Sequence, residues 1–204
     1  WGEASAEKAS SAAAETASAD SSPADLDPLT VPGFGGHPAI AVLPFDNLSG
    51  DPEQEYFADG FADELITLLS ASREFPVIAR NSSFTYKGKP VDVKQVSREL
   101  GVRYVVEGSV RKTGDRLRIT AQLIDATTGG HLWAETYDRH LRDIFEIQDE
   151  ITEAIAGSMG YALLLSEARR AIHKEPQNLD AHDCRMRGMW HLYRLTREDN
   201  RKAR

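Results

Sequence analysis

The segment Arg80–Lys89 gathers the side chains best suited to recognition. Arg80, Asn81, Ser82, Ser83, Tyr86 and Lys87, with Lys89 beside them, bring guanidinium, amide, hydroxyl and ammonium groups together. Such a set suits an anion or a partner peptide, because Lys and Arg donate charge-assisted hydrogen bonds to phosphate or carboxylate oxygens. The plainer reading is a surface loop pinned by Phe84 and Tyr86. Gly88-Lys89 is half of a phosphate loop, but the glycine four or five residues upstream is missing, so a nucleotide cradle is not expected. The acidic block Asp46–Asp59 lacks the ligand alternation of a calcium loop and reads as a turn leading into a helix.

Nucleophilic chemistry finds no set of residues to carry it. Ser82, Ser83 and Ser109 sit in no nucleophile elbow, and Cys184 lies in a helical pattern. His131, beside Trp133, reads as a half-buried strand residue, while His140, His173, His182 and His191 read as solvated. No catalytic, metal-binding or cofactor-binding residue is expected. Glu107 and Arg111 lie in an otherwise apolar strand-like run. A buried acid needs a partner, and Arg80 or Arg118 is the expected one.

These residues need elements to hold them. Ala39–Phe45 is a short apolar run of the buried-strand type, followed by turn residues Asn47, Gly50, Asp51 and Pro52. Phe57, Phe61, Leu65, Leu68 and Leu69 form one helical face, with Asp59, Asp63 and Glu64 turned away. Pro76–Ala79 reads as a second strand and residues 80–90 as a polar loop. Asp92 is placed to cap a helix whose face is Val93, Val96 and Leu100, and Gly101 to end it.

Three strands follow, at 103–111, 116–125 and 131–139. In the second, Leu117, Ile119, Ala121 and Leu123 alternate with Arg118, Thr120 and Gln122, the pattern of a half-solvated antiparallel strand. A long helix begins near Asp143 with the stripe Ile144, Ile147, Ile151, Ile155 and Met159, and Pro176 breaks it. The order β-α-β-α-β-β-β-α predicts an α/β fold, a mixed β-sheet with packed helices, followed by an α-helical repeat start.

The 204-residue chain carries a net charge of −8. Six acids against Lys8 within residues 1–37 supply −5 of this, leaving −3 for the remainder. The acidity therefore says little about partners of the folded part. No basic run threads through aromatics, so nucleic acid is not an expected partner. No run reaches 18 apolar residues, so no membrane span is expected. Cys184 is the single cysteine, which rules out a disulfide within the chain. Both ends read as cuts from something longer.

In sequence order, Ile40-Ala-Val-Leu-Pro-Phe through Ala58-Asp-Gly60, Ala79-Arg-Asn-Ser-Ser-Phe-Thr-Tyr-Lys-Gly88, Glu99–Arg111, Ala121–Gly129, His131-Leu-Trp133 and Asp143–Glu150 resemble the successive blocks of the TolB amino-terminal-like domain. The resemblance is to the version found in bacterial class III adenylate/guanylate cyclases and CadC-type winged-helix regulators. It covers about residues 38–160. In those families tetratricopeptide repeats follow, and Leu179–His182 with Arg187-Gly188 resembles the entry into the first repeat.

Residues 1–37, rich in Ala, Ser and acids with few large apolar side chains, read as a flexible linker; an α/β domain is expected at 38–165, and a helical connector with the first repeat helices at 166–204. The resemblance implies a non-catalytic regulatory or sensory module of a multidomain signalling protein. The output would be a nucleotide cyclase or a winged-helix domain, and the module would lie on the periplasmic side of a membrane-anchored parent, with the cytoplasm as the alternative side. Expected partners are proteins or peptides, self-association included. Trp190, Leu192 and Tyr193 are the expected partner-facing surface of the repeat helices. The rival readings are a structural assembly domain of an envelope complex, similar to TolB and CsgG, and an enzyme in its own right.

Overall fold

The computed structural model describes residues 38–71, 75–140, 144–194 and 196–203. The linker expected at 1–37 and the helix start expected at Asp143 lie outside these residues. The architecture is α/β, a five-stranded mixed sheet with packed helices. Strands β1 (Ile40–Val42) and β2 (Asp46–Asn47) both pair in parallel with β3 (Tyr104–Thr113), which runs antiparallel to β4 (Arg116–Asp125). The last strand, β5 (Gly130–His140), pairs antiparallel with β4. The helices are α1 (Glu55–Ala71), α2 (Arg80–Ser83), α3 (Val93–Leu100), α4 (Ile144–His173), α5 (Ala181–Tyr193) and α6 (Arg197–Lys202).

The period-2 pattern of the strands sets which face each residue joins. Tyr104, Val106 and Val110 of β3, with Leu117, Ile119, Ala121 and Leu123 of β4, point to one face. There they meet Phe57, Phe61 and Leu65 of α1 and Ile147, Ile151, Ile155, Met159 and Leu163 of α4 in one continuous core. A smaller cluster, built on Ala39, Ala41, Leu43, Val102 and Val105, lies on the opposite face beneath Val96 of α3. Strand β1 is buried on both faces, which is why its sequence reads as an unbroken apolar run.

Local signals end the elements as expected. The Asp92 carboxylate accepts from the Lys94 amide, and Gly101 closes α3 in the left-handed conformation at φ 64°. Gly108 serves a different need. A β-carbon there would come within 2.3 Å of the Phe45 ring and 2.4 Å of the Thr120 carbonyl. Only glycine leaves room for the Phe45 ring at that point.

Several expectations need correction. The run Pro76–Ala79 forms a single parallel bridge, Val77 to Ile40, and no longer strand. Its neighbour Ile40 spends one donor and one acceptor on Pro76 and Ile78, leaving the segment one rung long. Residues 80–86 are not loop: α2 and a 3-10 turn at Phe84–Tyr86 occupy them. Asp46–Asn47 form a strand pairing with Ser109 and Val110 where turn chemistry was expected. The long helix α4 itself runs unbroken from Ile144 to His173 and ends just before Pro176.

Candidate functional site

Two places concentrate polar side chains. The first is a groove of about 550 Å3 on the open face of the sheet, beyond the carboxyl end of β1. One wall is Leu43, Pro44, Asp46 and Leu48; the other is Tyr86–Val91; the floor is Glu107, Ser109, Thr120 and Gln122. Crevices at the carboxyl ends of parallel strands are a recurrent location for ligands in open α/β sheets.

The six residues expected to form one ligand loop are divided by the fold. Tyr86 and Lys87 line the groove. Tyr86 donates to Glu99 at 2.6 Å, and burial together with that carboxylate pushes its hydroxyl up to about 12. Lys87 is held between Asp59 at 2.5 Å and Glu55 at 2.8 Å. Burial pulls its ammonium down, but the two carboxylates outweigh burial and hold it above its ordinary value. Arg80 stacks over Phe84 at 4.0 Å and pairs with Asp63 at 3.3 Å, while Asn81 and Ser82 are exposed. Ser83 is fully buried and its hydroxyl has no hydrogen-bond partner among the described residues.

Glu107, expected to meet Arg80 or Arg118, meets neither. It is half-buried on the floor of the groove and accepts from the Gln122 amide at 2.5 Å, directly across the β3–β4 ladder. Arg118 is instead engaged by Asp138 on the next strand. The open face needed no buried ion pair, because strand pairing places an amide donor beside the acid.

The second place is a buried ionic junction where β3 begins. Glu167 of α4 is its centre, its side chain 3% exposed. Arg103 donates to both its oxygens, at 3.0 and 3.2 Å, and the Tyr104 hydroxyl donates to Oε1. His182 of α5 lies 3.6 Å from Oε2. Arg170 pairs with Asp125 at the end of β4 and lies 3.9 Å from Glu167. Burial alone would raise the Glu167 carboxyl. His182, Arg103 and Tyr104 overcome it and hold the group at about 2. The same burial, reinforced by Glu167, raises the Tyr104 hydroxyl.

Sequence reasoning missed this junction, although one signal was present. Ile151, Ile155, Met159 and Leu163 continue at the same spacing to Glu167 and Ala171, so an acid stands in the phase of a core stripe. His182, expected to be solvated, is 8% exposed at the side chain for the same reason: the start of α5 lies on that stripe.

The junction extends into the last helices. Met186 of α5 is buried against Ala168 and Ala171, and Arg187 donates to the Ala171 and Lys174 carbonyls at the end of α4. Trp190 is half-buried against this cluster under the Arg194 guanidinium, whereas Leu192 and Tyr193 are 55% and 62% exposed. Of the three residues expected on a partner surface, Trp190 thus turns partly inward. Among the described residues no group of three or more His, Cys, Asp or Glu side chains is placed to hold a metal, and no helix is long and apolar enough to cross a membrane.

A protein of Rhizobium meliloti (strain 1021) named "Putative adenylate cyclase 3" is 51% identical over 173 residues, 85% of this chain. The chain spans 30% of that relative's length. Among solved structures, a Neisseria meningitidis lipoprotein aligns at 18% identity over 60% of this chain and 96% of its own, with a TM-score of 0.46. TolB from Acinetobacter baumannii aligns at 22% identity over 64% of this chain and 29% of its own, with a TM-score of 0.42. Residues 36–154, more than half of the chain, match the family described as HilA/YgeH-like transcriptional regulator, second domain, and the chain belongs to that family.

Proposed function

We propose that this chain is a non-catalytic regulatory module of a multidomain bacterial signalling protein whose output domain is a nucleotide cyclase. The observation that carries this reading is the single helix α4. Its 30 residues pack on the sheet at one end and hold α5 through the buried Glu167 junction at the other. An event at the sheet is therefore transmitted to the following helices through one rigid element about 45 Å long. Membership of a regulator family supports the role, and the 51% identical relative supports the cyclase output.

In this reading α5 and α6 open a tetratricopeptide array, and Leu192 and Tyr193 face its next helix or a partner. The groove around Tyr86, Lys87 and Glu107 receives a protein or peptide segment. A periplasmic placement of the module on a membrane-anchored parent belongs to the same proposal and rests on the family resemblance. The test is twofold. The purified chain should form no cyclic nucleotide from ATP or GTP. A full-length cyclase parent carrying Glu167→Gln should keep its cyclase domain folded yet change its regulated output. Saturable cyclic-nucleotide formation by the isolated chain overturns the proposal, and so does a parent indifferent to the junction. An assembly role in an envelope complex would appear as loss of a co-purifying envelope partner with cyclase output untouched.

A further inference from the structure

The open face of the sheet carries a second feature, at the end away from the groove. Arg111 and Arg118 stand directly opposite each other in the β3–β4 ladder, and Thr113 stands opposite Arg116. All four alternate onto the same face and line a depression of about 250 Å3. Like charges directly opposite across strands weaken a sheet. Every other directly opposed pair between β3 and β4 avoids the conflict.

The local acids do not resolve it. Arg118 grips Asp138 with two parallel bonds, Nε at 2.7 Å and a terminal nitrogen at 2.8 Å. That satisfies one guanidinium of three. Among the described residues neither Arg111 nor Arg116 has a carboxylate at ion-pair distance; Arg116 acts on Asp138 only at longer range. The nearby Asp115 contacts His140, at 3.4 Å. Arg111, Arg116 and Arg118 are exposed, so packing does not require arginine at these positions. The face therefore holds a local excess of positive charge in a part of the chain whose overall balance is acidic.

We propose that Arg111, Arg116 and Arg118, with the Thr113 hydroxyl, form a binding site for a phosphate group. Guanidinium forks bind phosphate oxygens in pairs, and two unpaired forks converging on one depression match a doubly charged phosphate. Asp138 orients Arg118, which joins through whatever donors that pair leaves free. The site is distinct from the Arg80–Lys89 segment and does not rest on the cyclase reading.

The experiment titrates the full chain with pyrophosphate in low-salt buffer, and in parallel measures sedimentation with phosphatidylcholine vesicles with and without phosphatidic acid. Arg111→Gln, Arg116→Gln and Arg111→Lys are run beside it, with thermal midpoints as the folding control. Saturable pyrophosphate binding, weakened about tenfold or more by either Gln variant, is expected. Arg111→Lys should lose affinity too, because an ammonium lacks the fork. Arg111→Gln should melt no lower than the parent, since it relieves the like-charge pair, and Arg116→Gln, at an exposed position opposite Thr113, should melt close to it. Arginine-dependent binding to phosphatidic acid vesicles alone also supports the site and assigns the phosphate to a lipid headgroup. Absence of arginine-dependent binding in both arms overturns the proposal, as does equal affinity in all variants.

Discussion

The two faces of the sheet are made by the same strands and behave as different materials. One face is sealed by α1 and α4 over a continuous apolar core that includes Phe61, Leu117, Ile119 and Leu123, all 1% exposed or less. The other is largely open, and its residues are held by cross-strand polar pairs. Glu107 meets Gln122, Thr120 meets Thr136 at 3.3 Å, and Arg118 meets Asp138. Strand alternation assigns each residue to a face, and stability and recognition divide accordingly. The closed face specifies the fold. Away from the small cluster beneath α3, the open face is free to carry the groove and the arginines, because its exposed side chains lie outside the core.

The sharpest break of this comparison is Phe61→Ala. Phe61 is fully buried between Phe45, at a ring distance of 5.2 Å, and Phe57, at 6.4 Å. Truncation should cost about 3–5 kcal/mol in chemical denaturation. A loss under 1 kcal/mol would mean that the helix register on the closed face is wrong.

Next comes Glu167→Ala. Removing Glu167 takes away the buried carboxylate that the Arg103 guanidinium and the Tyr104 hydroxyl both engage, and a loss of about 3–5 kcal/mol is expected. Its pH dependence has a definite sign. The folded carboxyl sits at about 2 against an ordinary 4.5, so its contribution is present above pH 4.5 and is lost as pH falls from 4.5 through 2. Melting midpoints of the parent protein should therefore fall more steeply across that window than those of Glu167→Gln. Parallel curves would show that Glu167 titrates alike in both states.

Gly108→Ala tests the closed face where the Phe45 ring lies against β3. The added carbon meets a ring and a backbone carbonyl, and only the ring can move. A loss of about 1–3 kcal/mol is expected, with the disturbance centred on Phe45 in side-chain spectra. The smallest effects belong to the exposed positions. Thr136→Ala on the open face and Asp63→Ala on the outer side of α1 should each stay within about 0.5 kcal/mol. Asp63 pairs with Arg80, but at 55% side-chain exposure such a pair contributes little. Losses comparable to Phe61→Ala at either position would erase the distinction between the faces.

The closed face was legible in the sequence because its signals are short-ranged. The stripe Phe57, Phe61, Leu65 repeats every helical turn, and Leu117–Leu123 alternates every second residue. The cap Asp92 and the terminator Gly101 act within a few positions of themselves. The candidate sites were legible only in part. Tyr86 and Lys87 were singled out and do line the groove, yet the helical turns at 80–86 send Ser83 inward and Arg80 toward Asp63. No local pattern announces that division.

By itself, then, the sequence determined the long helices and strands, their buried faces and the α/β class, since each follows from side-chain period and backbone preference over a few residues; the short pieces at 46–47, 76–79 and 80–86 did not follow from it. Only the tertiary structure decided that Arg103 meets Glu167 across 64 positions, that Glu107 takes Gln122 rather than an arginine, and that Arg111 faces Arg118. Those pairings depend on strand register and on where α4 crosses the sheet. Both are set by the packing of the whole core, and one residue of slip would exchange every partner.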